Sequence, residues 1–318
     1  MSWKDQFPKE DRYFETDSGI LYLGDCLEIM KGFPKDIINL VYVDPPYGID
    51  RDKVFGMPKW KSVEEHYKFC DKLGLSILRK IDSKKRSNYG IAHYLSWMYP
   101  RLILMKKLLA ENGSIYVHLD WHMVHYVKIL MDEIFGYGNF RNEIVWCYAG
   151  GGSSPKNFAD KHDTIMFYIN GSNWVFNVQR IPYGSMGLGK TWRRADGSKP
   201  HPEGKHLEDW WTDIKPVLSL TDKLHRIGEW INFQTQKPEA LLKRIILASS
   251  NSNHLVADFF CGSGTALAVA EKLGRRWIGC DVWEEACAVS KMRLEKLYQE
   301  RKKGLGLLRR ARGGRSQR

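Results

Sequence analysis

Five short apolar runs, each closed by an aspartate, constrain the fold of this chain more than any other feature of its 318 residues. They are "GILYLGD" ending at Asp25, "IINLVYVD" at Asp44, "GSIYVHLD" at Asp120, "HLVAD" at Asp258 and "RRWIGCD" at Asp281. Runs of this length read as buried strands, and helical periodicity fills the gaps between them. "HYLSWMYPRLILMKKLLAENG" repeats its apolar residues at helical spacing and closes on Gly113, a helix-stop residue. "WHMVHYVKILMDEIFG", "PEALLKRIILASS", "TALAVAEKLG" and "EEACAVSKMRLEKLYQERKK" behave alike, and "EIVWCY" and "TIMFYI" add two strands. Strands alternating with helices predict an α/β fold built on a doubly wound, mostly parallel sheet.

The alternation is interrupted once. Residues 171–232 are rich in Gly, Pro, Trp and basic side chains and lack periodicity, so they read as a small irregular insertion. This divides the chain into 1–170, the insertion, a second α/β part at 233–303, and a basic flexible tail at 304–318. The tail region matters for charge. From Arg301 onward there are eight positive charges and no acid, out of a net +12 for the chain. A basic balance suits a polyanionic partner such as nucleic acid.

The insertion holds a trap. "GSMGLGKT", residues 184–191, matches the phosphate-binding P-loop pattern at every fixed position. Such a loop works only between a strand and a helix N-terminus. Pro182 breaks the candidate strand, and Gly197, Pro200, Pro202 and Gly204 stand where the helix would run. The stretch reads instead as a basic, glycine-rich loop. The six cysteines are scattered without metal-ligand spacing, and there is neither a signal-like N-terminus nor a long apolar run. A reduced, cytoplasmic setting is expected, with no metal site and no membrane span.

Two constellations carry chemistry. In "DFFCGSGT", Asp258–Thr265, a strand runs into a G-x-G turn that opens an alanine-rich helix, which lets backbone approach a ligand. The next fingerprint slot is Leu267, which disfavours a pyrophosphate. Asp281 ends the following strand, where an acid bonds ribose hydroxyls. A nucleoside cofactor without pyrophosphate fits both facts. In "VDPPYG", Val43–Gly48, two prolines stiffen the turn after Asp44. The turn offers a carboxylate, an amide carbonyl and an aromatic ring, which suit a planar amino-substituted base. A rigid surface turn is the plainer alternative.

Together, and in this order, these motifs resemble the amino-methylating DNA methyltransferases of the circularly permuted β class. "LYLGDCLEIM", "WMYPRLILMKKLLAENGSIYVHLD", "FRNEIVW", "TQKPEALLKRII" and "LGRRWIGCD" are similar to segments of that group, notably the modification subunits of type III restriction-modification systems. The resemblance covers most of residues 20–298. It implies a Rossmann-like fold, S-adenosylmethionine as methyl donor, and double-stranded DNA as partner. It admits a homodimer and a cognate restriction endonuclease. It assigns catalysis to Asp44, Pro45, Pro46 and Tyr47, and cofactor binding to Asp25, Asp44, Lys237, Asp258, Phe260, Gly262, Ser263, Gly264, Thr265 and Asp281. Lys190, Arg193 and Arg194 in the insertion, its target-recognition region, are expected to meet DNA phosphates. Asp rather than Ser before the two prolines favours adenine N6 over cytosine N4. An RNA methyltransferase or a silent nucleic-acid-binding module are the rival readings. The chain departs from the family at Phe259, where a proline is usual, and in being shorter than type III subunits.

Other residues are read more plainly. His118, His122 and His125 lack ligand spacing and read as packing or surface residues. Trp210 and Trp211 read first as a small core of the insertion, and Trp192 as a residue for bases or core. The span from Ile49 to Ala92 exceeds ordinary loop lengths and is a candidate lid.

Overall fold

The computed structural model describes residues 2–46, 63–76, 78, 90–148, 155–182, 201–217, 229–233 and 235–313. Its first part runs β1 (Arg12–Glu15), β2 (Gly19–Leu23), α1 (Cys26–Lys31), β3 (Ile38–Val43), α2 (Val63–Lys72), α3 (Ile91–Leu108), β4 (Leu109–Leu119), α4 (Val124–Phe135), β5 (Phe140–Cys147) and β6 (His162–Ile169). The short strands β7 (Arg180–Ile181), β8 (Lys205–His206) and β9 (Trp210–Trp211) follow in the insertion. The last part is α5 (Glu239–Ser249), β10 (Leu255–Asp258), α6 (Thr265–Lys272), β11 (Arg276–Asp281) and α7 (Glu284–Gly313).

Among the described residues nine strands form one sheet, in the order β1-β2-β11-β10-β3-β4-β6-β5-β9. The five strands from β2 to β4 are mutually parallel. β6 is inserted antiparallel between β4 and β5, and β1 pairs antiparallel at the other edge. Strand order reverses between β3 and β10, which pair through Leu40 with Val256 and Val41 with Ala257. The carboxyl ends of strands at such a switch point are where open α/β sheets bind ligands.

Period-two alternation splits the core into two layers. Tyr22, Ile38, Val41, Val43, Ile115 and Val117 pack on one face with α3 and α4. Leu21, Leu40, Tyr42, Tyr116 and Trp277 pack on the other with α5 and α6.

Two boundaries and one packing assignment differ from the sequence reading. α3 stops at Leu108 rather than at Gly113, because Leu109 turns to extended backbone and starts β4 at once. Gly113 serves close approach instead: a Cβ there would lie 2.9 Å from the carbonyls of Ala110 and Ile38. The flexible tail expected from residue 304 is helical through Gly313, since α7 is already nucleated and Leu, Arg and Ala extend a helix at little cost. Trp210 and Trp211 do not form a separate core. They add to the main sheet beside Val145 and Trp146, with Trp211 buried and Trp210 39% exposed. Trp192 and the "GSMGLGKT" stretch lie outside the described residues. Of the 49–92 span, α2 is described and packs on α3, with the Phe69 and Tyr99 rings 4.9 Å apart.

Candidate active site

The strand ends at the switch point bring together residues from both parts of the chain. The backbone leaves β3 at Asp44 and passes through Pro45, which is buried, and Pro46. Tyr47 lies outside the described residues, as do Lys190, Arg193 and Arg194. Asp44 forms an ion pair with Lys237, just ahead of α5, and both side chains are largely buried. The two line a small pocket together with Tyr42, Asp258, Phe260, Gly262, Ser263 and Thr265.

The loop after β10 is a backbone cradle. Gly262 and Gly264 have φ of +50° and +69°, conformations that only glycine adopts without strain. A Cβ on Gly264 would also stand 2.6 Å from Ser290 Oγ. The Ser290 hydroxyl donates to the Gly262 carbonyl at 2.8 Å. Arg293 donates to Thr265 Oγ1 at 3.0 Å and to Glu239 Oε1 at 2.8 Å, and the Thr265 hydroxyl donates to the Lys237 carbonyl at 3.2 Å. The glycine turn is thus tied to both α5 and α7.

Carboxylates surround this cradle. Asp258 is 3% exposed and accepts the Phe260 N–H at 3.1 Å. Burial pushes its carboxyl well above the ordinary range, the Phe260 bond and Lys237 counteract this, and Asp44 and Asp281 add to it. Asp281 accepts from Gly262 N–H at 2.8 Å and Trp283 N–H at 3.0 Å, and burial raises it too. Asp25, on the far side of Asp281, caps α1 through Leu27 N–H at 2.9 Å.

Sequence reasoning missed the partner of Asp25. Arg101, on α3, is 3% exposed and places Nη2 2.8 Å from both Asp25 oxygens. Its guanidinium also donates to the Trp97 carbonyl at 2.8 Å and lies 4.2 Å from the Trp97 ring centroid. Trp97 in turn packs against Phe260 at 5.6 Å. Arg293 and Ser290 were missed as well. No local motif marks any of the three. The only signal was an arginine placed on an otherwise apolar helical stretch.

The histidines divide between packing and surface positions, with His118 buried, His122 intermediate and His125 exposed. His118 is fully buried between Tyr42 Oη at 2.8 Å and Asp163 Oδ2 at 3.1 Å. Burial would raise Asp163, but the His118 hydrogen bond and the Lys237 charge outweigh it and hold the carboxyl below its usual value. Among the described residues no His, Cys, Asp and Glu cluster could hold a metal, and no helix is long and apolar enough to cross a membrane.

Comparison with known proteins gives the family of the chain. The family described as DNA methylase, the N6/N4 methyltransferases, matches residues 38–292. The chain belongs to this family. Type II methyltransferase M.BamHI of Bacillus amyloliquefaciens is 30% identical over 294 residues, covering 91% of this chain. The chain spans 60% of that protein's length. DNA adenine methyltransferase YhdJ of Escherichia coli K12 is 26% identical, over 90% of this chain and 86% of its own. Among solved structures, PvuII DNA methyltransferase (cytosine-N4-specific) superposes with a TM-score of 0.58 at 20% identity, covering 92% of this chain and 94% of its own. The M1.HpyAVI–SAM complex gives 0.52, also at 20%, covering 86% and 98%. The Rossmann-like fold of the S-adenosylmethionine-dependent DNA methyltransferases is therefore that of this N6/N4 family member.

S-adenosylmethionine is the cofactor of the family, and the residues present fit it. The cradle leaves no room for a side chain at Gly264, and Asp281 stands at a strand end suited to ribose hydroxyls.

Proposed function

We propose that the protein transfers a methyl group from S-adenosylmethionine to the exocyclic N6 amine of an adenine flipped out of duplex DNA. The observation that carries this reading is the placement of Asp44 at the end of β3, lining one pocket with the Asp258–Thr265 cradle that follows the neighbouring β10. When bound, S-adenosylmethionine supplies an electrophilic methyl group.

An exocyclic amine has its lone pair delocalised into the ring. Asp44 and the Pro45 carbonyl accept its two hydrogens, localise that lone pair and align it, while Tyr47 stacks on the base. Pro46 stiffens the turn, so the acceptors are held before the base arrives. Asp44 then takes up the proton that the methylated amine releases. Lys237 neutralises the carboxylates clustered here until the base enters. Asp281 and Asp25 hold the sugar and purine of the cofactor, and Phe260, Gly262, Ser263, Gly264 and Thr265 line its remainder. Preorganised charge and positioning supply the rate, and the target leaves the stack to reach the pocket.

Cytosine N4 is the second reading, favoured by the structural likeness to a cytosine-N4 enzyme. Lys190, Arg193 and Arg194 are phosphate contacts on this account, and a homodimer and a cognate restriction endonuclease are its further partners. Its likeness to type III modification subunits belongs to the same proposal. Incubation with tritiated S-adenosylmethionine and separate pools of duplex DNA and RNA tests the class of substrate. Label in DNA is expected; label confined to RNA would overturn the reading.

A further inference from the structure

At the carboxyl end of β4 the chain turns through Asp120, Trp121 and His122 into α4. Asp120 anchors that turn twice. Its carbonyl accepts the Val124 N–H at 3.1 Å, and its carboxylate accepts the His122 N–H at 3.1 Å and meets His122 Nδ1 at 2.7 Å. The imidazole so fixed lies against the Trp121 indole, with centroids 3.6 Å apart and planes 25° from parallel. Trp121 nevertheless remains 49% exposed. A large aromatic ring is therefore held rigidly, one face supported and much of the rest in solvent. Burial of Trp is the rule, so a braced, half-exposed one invites a partner.

The position of the pair is set by strand register. Val43 lies opposite Val117, so Asp44 is level with His118, and β4 runs only to Leu119 before the Asp120–His122 turn leaves the same end of the sheet. At this end of the sheet Asp163 meets His118 Nε2 at 3.1 Å and accepts the Tyr148 hydroxyl at 3.1 Å. The stack therefore stands at the rim of the cleft that contains Asp44. That rim carries Asp120 and Asp163, which repel phosphate but not the uncharged face of a base.

We propose that the Trp121–His122 stack is a platform for a nucleobase, taking the base that flanks the target on the same strand. This rests on the DNA-methylating function above. Stacking on an aromatic face is available to every base, so the platform adds affinity without choosing sequence.

The test uses the full chain, S-adenosylhomocysteine, and a fluorescein-labelled duplex carrying the sequence that the wild-type protein methylates. Trp121→Ala and Trp121→Leu are expected to weaken duplex binding by about 5- to 100-fold and raise KM for DNA alike. Trp121→Phe retains most of the affinity. Binding of S-adenosylhomocysteine stays unchanged in all three. Tyr137→Ala removes an exposed aromatic at the opposite end of the sheet and is expected to change nothing. Wild-type duplex affinity and KM in Trp121→Ala would overturn the platform while leaving the function intact. A wild-type protein that methylates no DNA would overturn both.

Discussion

The Lys237 ammonium meets the Asp44 carboxylate across 193 residues of chain, joining the turn after β3 to the entry of α5. Lys237 also acts on Asp258 and Asp163, so one cation serves three acids. Removing it leaves charge uncompensated in a largely buried site. Lys237→Met is expected to cost about 2–3 kcal/mol of stability and to lower methyl transfer about 100-fold or more. Lys237→Arg keeps the charge and most of the stability. Thermal unfolding and single-turnover rates on the two variants check this.

Arg101 fixes the orientation of Asp25 with two hydrogen bonds to a charged partner, each interaction of this kind contributing about 1.5–3 kcal/mol. Arg101→Met frees that carboxylate. The expected result is a roughly tenfold or greater rise in Kd for S-adenosylmethionine by calorimetry, with duplex DNA affinity unchanged. Equal loss of both affinities would show a general collapse instead.

Asp258 gives a pH signature. Burial raises its folded pKa above the unfolded value, so the folded state binds more protons than the unfolded one between those two values. Stability is then unpenalised below about pH 4 and falls as pH rises toward the folded pKa. Asp258→Asn keeps an acceptor for the Phe260 N–H and removes the buried charge. Its Tm is expected to exceed that of the wild type at pH 7–8 by a few degrees, and the gain disappears as pH approaches 4. Calorimetric scans across that range decide.

Gly264→Ala meets both a positive φ and the Ser290 side chain. A loss of about 1–3 kcal/mol in stability and of measurable cofactor binding is expected. Adding Ser290→Gly removes the Oγ and Cβ contacts but leaves the Ser290 Cα at 3.2 Å, keeps the φ penalty, loses the bond to the Gly262 carbonyl and puts a glycine inside α7, so the double variant recovers little stability.

Much of this architecture was legible because burial and chemistry coincide in short stretches. The strands ending at Asp25, Asp44, Asp120, Asp258 and Asp281 are apolar runs, and the motifs at Asp44 and Asp258 announce neighbouring strand ends. What stayed hidden depends on distance or on edges. Arg101 finds Asp25 across 76 residues, and nothing near either residue encodes the meeting. β1 and β9 are short edge strands, for which a run of two to four residues carries almost no periodicity. The antiparallel insertion of β6 follows from sheet packing, which strand patterns alone do not express. The helical extension to Gly313 overrode a glycine-rich, highly charged composition that suggests disorder.

The most direct measurement is modification-sensitive long-read sequencing of genomic DNA from a methylation-deficient host expressing the protein or its Asp44→Ala variant. N6-methyladenine at one recurring sequence, present with the wild type and absent with the variant, is the predicted result. The same mark on cytosine N4 would keep the chemistry of Asp44 and change the base. Undiminished methylation by Asp44→Ala, or no mark from a folded protein that binds S-adenosylmethionine, would contradict the account.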